Sequence, residues 1–168
     1  MLIARLKRLL VISLAIAALA GCSGEKKQAE ANGIIPMDKV VFFDVDGKQK
    51  SLEELSEGKP LYLAFFASWC KSCSHEVPQN NSIYRKYISQ GLAVYGVNIG
   101  DSKEIINGFV KKYGIEYPVV RDPDGRTAGQ YFNLLALPLI VVIDAEGNEI
   151  YHGSVPPPND VIESILGE

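Results

Sequence analysis

An uninterrupted apolar run at residues 61–67 is the feature that most restricts how this chain can fold. A run of this length without a charged residue predicts a strand that is buried on both faces, as in the centre of a sheet. Cys70 and Cys73 follow almost directly. The order of these residues therefore places a pair of thiols where a buried strand gives way to a helix.

Apolar runs alternate with segments of helical periodicity along the rest of the chain. We predict strands over residues 40–45, 61–67, 92–99, 117–120, 139–144 and 149–153, and helices beginning at a capping box at 51–54 and over 72–89, 102–113, 127–132 and 159–166. This alternation predicts an α/β layered fold with a partly parallel sheet, and the last two strands add an antiparallel edge. The 168 residues suffice for one domain.

Composition excludes several classes of protein. A hydrophobic share of 47% indicates a chain that buries a core, and a net charge of −3 argues against a general nucleic-acid binder. Three cysteines are too few for a four-thiolate zinc site or a disulfide-stapled miniprotein.

The N-terminus is typical of a secretory signal. Arg5, Lys7 and Arg8 precede an apolar stretch at 9–20, which is short for a membrane-spanning helix. An uncleaved anchor helix is the alternative. Residues 19–22, Leu-Ala-Gly-Cys, resemble the bacterial lipobox, which implies cleavage before Cys22 and a lipid on that cysteine. We therefore expect a signal peptide at 1–21, a lipidated flexible tether at 22–35 and one domain at 36–168.

The spacing of Cys70 and Cys73 suits disulfide exchange. In a first helical turn their Cα atoms would lie about 5–6 Å apart, within disulfide range. The helix N-terminus should lower the pKa of Cys70 below about 8.5, which favours a reactive thiolate beside a second thiol. Half of a zinc site or a purely structural disulfide are the alternatives, but His75 and His152 lack paired ligand spacing, and we expect no metal.

Residues 65–73, Phe-Phe-Ala-Ser-Trp-Cys-Lys-Ser-Cys, resemble the active-site segment of the thioredoxin superfamily. Pro78 matches the family's helix-kinking proline, and Leu137-Pro138 matches its cis-proline. Glu76 and the segment 100–120, similar to an inserted strand and helix, point to the TlpA/ResA branch. The resemblance spans residues 34–168 and implies a thioredoxin-like three-layer α/β/α sandwich with a central mixed sheet and a cis-proline.

The resemblance also implies roles for individual residues. Cys70 would be the nucleophile on the exposed side, and Cys73 would resolve the mixed disulfide. Glu76 lies on the same helix face as Cys73; partly buried, its pKa would rise and it would relay protons. Ala64 stands where thioredoxin has a buried acid. An ordinary exposed carboxylate is the alternative for Glu76.

Substrate contacts are expected at Trp69, Leu137 and Pro138. Trp69 would pack beside the cysteines, with simple core packing as the alternative. A cis-Pro138 would expose the backbone of Leu137 to an extended substrate peptide, whereas a trans proline would only begin a strand. Three departures from the family concern the environment of the thiols and the substrate groove. Lys71-Ser72 replaces the commoner x-Pro dipeptide, and Leu137 and Leu139 should make the substrate groove more apolar.

The resemblance implies a membrane-tethered, extracytoplasmic thiol–disulfide oxidoreductase, monomeric and without a cofactor. It would reduce protein disulfides, such as that of an apocytochrome c during cytochrome c maturation, with electrons from a membrane donor of the DsbD/CcdA type. A disulfide oxidase or isomerase of secreted proteins is one alternative. A copper-binding or redox-sensing lipoprotein is another, for which His152 would be a ligand. A peroxiredoxin would need Thr at the position of Ala67.

Overall fold

The computed structural model describes residues 34–167. The predicted signal peptide at 1–21, the lipid at Cys22 and nearly all of the tether at 22–35 lie outside the described residues. The strands are Val41–Phe43 (β1), Gln49–Ser51 (β2), Leu61–Phe66 (β3), Ala93–Ile99 (β4), Val119–Asp122 (β5), Leu139–Ile143 (β6) and Glu149–Gly153 (β7). The α-helices are Leu52–Ser56 (α1), Lys71–Tyr87 (α2), Lys103–Tyr113 (α3), Arg126–Phe132 (α4) and Asn159–Glu163 (α5), and a 3-10 turn, Ile88–Gln90, follows α2.

All of these strands form one mixed sheet in the order β2-β1-β5-β4-β3-β6-β7. Strand β3 pairs in parallel with β4 and antiparallel with β6. The carboxyl ends of β3 and β4 and the amino end of β6 therefore meet at one edge of the sheet. This edge carries the residues of interest.

The sheet separates two clusters of buried side chains. Leu61, Leu63 and Phe65 of β3 face a cluster that includes residues of α1 and α4. Tyr62 and Phe66 face the opposite cluster, to which α2, α3 and α5 contribute. Successive residues of a strand point to opposite faces, so β3 is buried on both sides, as the apolar run predicts. The predicted layered α/β fold with a central mixed sheet is confirmed.

Most local predictions hold within a few residues. The capping box at Ser51 opens α1, with the Ser51 hydroxyl accepting from the Glu54 backbone and the Glu54 carboxylate accepting from that of Ser51. Strand β1 is shorter than predicted because the Asp44 carboxylate accepts the backbone N–H groups of Asp46 and Lys48, which turns the chain. Within residues 34–167, no helix is long and apolar enough to cross a membrane.

Candidate active site

Cys70 and Cys73 form a disulfide at the N-terminus of α2, with Cα atoms 5.4 Å apart. The predicted spacing is confirmed. Cys70 is the N-cap residue, and its Sγ accepts a hydrogen bond from the Cys73 backbone N–H at 3.2 Å. The Ser72 hydroxyl lies 3.5 Å from the same sulfur. Two donors thus face Cys70, which favours negative charge on its sulfur once the disulfide is reduced.

Cys70 is less exposed than expected. In the disulfide it exposes 6% of its surface, against 4% for Cys73, and both cysteines pack in the cluster beneath α2. The N-cap position holds the Cys70 sulfur over the first turn of the helix, which limits its exposure. Trp69, by contrast, is 69% exposed, so core packing is excluded for this side chain.

A small cavity of about 10 Å³ lies on the inner side of the disulfide. Its walls include Cys73, Glu76, Asn80, Tyr117 and Pro138. Glu76 is partly buried, as predicted, and lies on the helix face that carries Cys73. The cavity is close to the smallest volume that holds one water molecule.

Two buried phenols lie near this cavity. The Tyr62 hydroxyl donates to the Asn80 side-chain oxygen at 2.7 Å. Burial raises the pKa of Tyr117 to about 12. Burial also raises the pKa of Tyr62, and the nearby Tyr117 and Glu76 raise it further. Both phenols are therefore neutral at physiological pH, and neither takes up a proton from a thiol there.

The cis-proline loop borders the same cavity. The Leu137–Pro138 peptide bond is cis, as the resemblance implies. Leu137 is partly buried and packs against both core clusters. The expectation that Leu139 makes the groove more apolar is wrong, because Leu139 begins β6 with its side chain buried in the core. Leu135 supplies exposed apolar surface in this loop instead, at 87% exposure, and sequence reasoning missed it.

A hydrogen-bond network at the loop that precedes Cys70 was also missed. Asp101, which follows β4, accepts hydrogen bonds from the Ser68 backbone N–H and hydroxyl, each at 2.7 Å. Asn98 donates to the same carboxylate at 2.8 Å. Ser102, and not Asp101, is the N-cap of α3. Only the parallel pairing of β3 and β4 brings Asp101 to the active-site loop.

The two histidines take no part in the disulfide's surroundings. His75 is exposed on α2, and His152 lies on β7 with Nδ1 3.3 Å from the Glu149 carboxylate. In the part of the chain that the structure describes, no group of three or more His, Cys, Asp or Glu side chains is placed to hold a metal ion.

Residues 33–151 match the model of the AhpC/TSA family. The chain belongs to the AhpC/TSA family. Among curated proteins, it is 36% identical over 110 residues to the thiol-disulfide oxidoreductase ResA of Bacillus subtilis (strain 168), which covers 66% of this chain and 60% of that protein. ResA of Geobacillus kaustophilus (strain HTA426) is 33% identical over 122 residues, covering 73% of this chain and 68% of the relative.

The fold is also similar to that of solved thiol:disulfide interchange proteins. A thiol:disulfide interchange protein of the thioredoxin family from Chlorobium tepidum TLS superposes with a TM-score of 0.65 at 26% identity. The match covers 80% of this chain and 97% of that one. Together these similarities confirm the predicted TlpA/ResA-like membership of the thioredoxin superfamily. The chain spans only 60% of the length of the Bacillus subtilis relative.

Proposed function

We propose that this protein is a thiol–disulfide oxidoreductase that reduces disulfides of proteins outside the cytoplasm. The observation that carries the proposal is the Cys70–Cys73 disulfide, capping a helix and bordered by both Glu76 and the cis-proline loop. The likeness to relatives named thiol-disulfide oxidoreductases supports it.

The exchange needs only the two sulfurs and a proton acceptor. In the reduced protein, the Cys70 thiolate attacks a client disulfide, forms a mixed disulfide and releases one client thiolate. The Cys73 thiolate then attacks the Cys70 sulfur, which releases the second client thiolate and restores the Cys70–Cys73 disulfide. Two electrons pass to the client, and each released thiolate takes up a proton.

Glu76 is proposed as the proton relay for Cys73. Of the titratable side chains lining the cavity beside Cys73, Tyr117 is held neutral by burial, which leaves Glu76 as the group that exchanges protons. The cavity has room for about one water molecule, which would link the carboxylate to the thiol. Glu76 would thereby replace the buried acid of thioredoxin, whose position is occupied here by Ala64, a residue that cannot titrate.

The client is proposed to bind across Trp69 and the cis-proline loop. Trp69 and Leu135 present exposed apolar surface on the segments flanking the disulfide. The cis bond before Pro138 would leave the backbone of Leu137 open to an extended client segment, which would add as a strand. An apocytochrome c is the proposed client, with a membrane donor of the DsbD/CcdA type returning electrons to the disulfide.

The direction of electron flow is tested by the reduction potential. A potential well below that of DsbA, which is near −120 mV, supports a reductase. A potential near that value would favour the oxidase or isomerase alternative. The measurement is an equilibrium titration of the Cys70–Cys73 couple against glutathione.

The N-terminal segment is proposed to place the domain at a membrane. Residues 1–21 would act as the signal, Cys22 would carry lipid, and 22–35 would form the tether. The test is labelling with a radioactive fatty acid in a bacterial host, in which the wild type should take up label and Cys22→Ala should not. A wild type that takes up no label would refute the lipid anchor at Cys22.

The activity is tested by insulin reduction with dithiothreitol as the electron source. Wild-type protein should accelerate precipitation of the insulin B chain, and Cys70→Ser should give the uncatalysed rate. Catalysis that survives in Cys70→Ser would overturn the assignment of the nucleophile. A wild type that does not accelerate the reaction would overturn the activity itself.

A further inference from the structure

Asp101 is buried just after β4, with 8% of the residue exposed, and its carboxylate contacts Ser68 in the loop that precedes Cys70. Its three donors are the Ser68 backbone, the Ser68 hydroxyl and the Asn98 amide, at 2.7, 2.7 and 2.8 Å. An ionised carboxylate only accepts hydrogen bonds, so this set of donors suits the charged form. Burying a carboxylate costs free energy, so a buried carboxylate with this many donors is expected to have a structural or functional role.

No cation among residues 34–167 makes a salt-bridge contact with this carboxylate. None of the ion pairs in that part of the chain includes Asp101. Arg121, on the neighbouring strand β5, donates to the main-chain carbonyl of Asp101 at 3.4 Å rather than to its carboxylate. The Arg121 guanidinium thus lies beside the main chain of Asp101 and offsets part of its negative charge, and the remainder acts on the surroundings of the carboxylate.

The network reaches the nucleophile through a short piece of backbone. Ser68 and Cys70 are separated only by Trp69, and Ser68 is otherwise part of an exposed loop. The Asp101 carboxylate accepts from both the backbone and the side chain of Ser68, so it restrains this loop from a position just after β4, 33 residues further along the chain. Within the loop, the Cys70 backbone N–H donates to the Ala67 carbonyl at 3.1 Å, and the bonds to Asp101 add a restraint from outside the loop.

We propose that Asp101 is a positioning residue that fixes the Ser68–Cys70 loop for disulfide exchange and whose charge favours the Cys70–Cys73 disulfide over the dithiol. The second effect follows from repulsion between the carboxylate and a Cys70 thiolate. The repulsion makes the Cys70–Cys73 dithiol a stronger reductant. In this respect the inference rests on the proposed reductase function.

Two substitutions separate the charge of Asp101 from its anchor, which is the pair of hydrogen bonds to Ser68. Asp101→Asn keeps the shape of the side chain and removes its charge, while the Ser68 hydroxyl can turn to accept from the new amide. Asp101→Ala removes both the charge and the anchor. Ser68→Ala removes only the hydroxyl bond, and it tests the anchor if Asp101→Ala does not fold. Asp160→Asn, an exposed carboxylate on α5, is the matched control for loss of one negative charge.

The effect of the Asp101 charge is measured with an equilibrium constant. In the reaction, the protein disulfide and two glutathione thiols give the protein dithiol and oxidised glutathione. At pH 9, where thiolates are populated, Asp101→Asn should move this equilibrium toward the dithiol on the order of fivefold. Asp160→Asn and Ser68→Ala should match the wild type. An Asp101→Asn equilibrium equal to that of the wild type would overturn the electrostatic effect.

The effect of the anchor on loop mobility is measured by the fluorescence anisotropy of Trp69, which lies in the loop and is the single tryptophan of the chain. In the oxidised protein, Asp101→Ala and Ser68→Ala should lower the anisotropy of Trp69, whereas Asp101→Asn should retain the wild-type value. Asp101→Ala should also slow insulin reduction on the order of tenfold. Wild-type anisotropy in both alanine variants would overturn the anchoring role.

These readouts keep the inference separate from the proposed function. The glutathione equilibrium and the anisotropy need no client and no catalysis. If wild-type protein does not reduce insulin, the proposed function fails while both measurements still test Asp101.

Discussion

The two sulfurs of the disulfide lie in different surroundings, although only three positions separate them. On the outer side, Cys70 caps the helix and faces the Ser72 hydroxyl and the loop anchored by Asp101. On the inner side, Cys73 borders a small cavity with Glu76. Two hydrogen-bond donors face the Cys70 sulfur, whereas Cys73 borders a cavity whose walls include an acid, so the strand-to-helix junction makes the two thiols chemically unequal.

The largest effect should come from removing one sulfur at a time. Cys70→Ser should abolish insulin reduction because the attacking thiolate is lost. Cys73→Ser should still attack a client but should accumulate a mixed disulfide, since the resolving sulfur is missing. Mass spectrometry of the trapped species measures this and identifies the client. If Cys70→Ser rather than Cys73→Ser trapped clients, the proposed order of the two sulfurs would be reversed.

Glu76→Gln should slow disulfide exchange on the order of a hundredfold, because the inner thiol loses its proton acceptor. Stopped-flow kinetics of the reduced protein with a model disulfide measures the rate. His75→Gln is the matched control, because His75 is exposed on the same helix and should leave the rate unchanged. Equal rates for both variants would remove Glu76 from the mechanism.

Tyr62→Phe tests the hydrogen bond that holds Asn80, a residue of the cavity wall. It removes the hydrogen bond to Asn80 and leaves a buried acceptor without a donor, which should lower the free energy of unfolding by about 1–3 kcal/mol. Denaturant titration measures the loss. Tyr151→Phe is the control, since its hydroxyl bonds the Val155 carbonyl in an exposed position and should cost less than about 0.5 kcal/mol. Similar losses in both variants would argue against a special role for the buried pair.

Ser72→Ala should have the smallest effect, on the outer side. Loss of the hydroxyl donor should raise the pKa of the Cys70 thiol, by less than about 1, as measured by thiolate absorbance during a pH titration. Ser74→Ala is the control, because the Ser74 hydroxyl donates to the Lys71 carbonyl and not to a sulfur. Indistinguishable titrations of the two variants would show that Ser72 does not donate to the thiolate.

Prediction from sequence succeeded where the cause is local. The start of α1 follows from its capping box, and the position of Cys70 at the start of α2 follows from the end of the apolar run. The face shared by Cys73 and Glu76 follows from helical periodicity. Prediction failed at Leu139, because a strand residue at the edge of a groove has two faces available, and only the register of β6 decides between them.

The sequence by itself determined that a pair of thiols begins a helix after a buried strand, because the apolar run and the cysteine spacing are local features. The tertiary structure alone decided what surrounds each thiol. Asp101 reaches Ser68 because β3 and β4 are parallel, and Pro138 reaches the cavity because β6 runs antiparallel to β3. Hydrogen bonds and cavities between distant segments depend on strand order and register, which local patterns of residues do not specify.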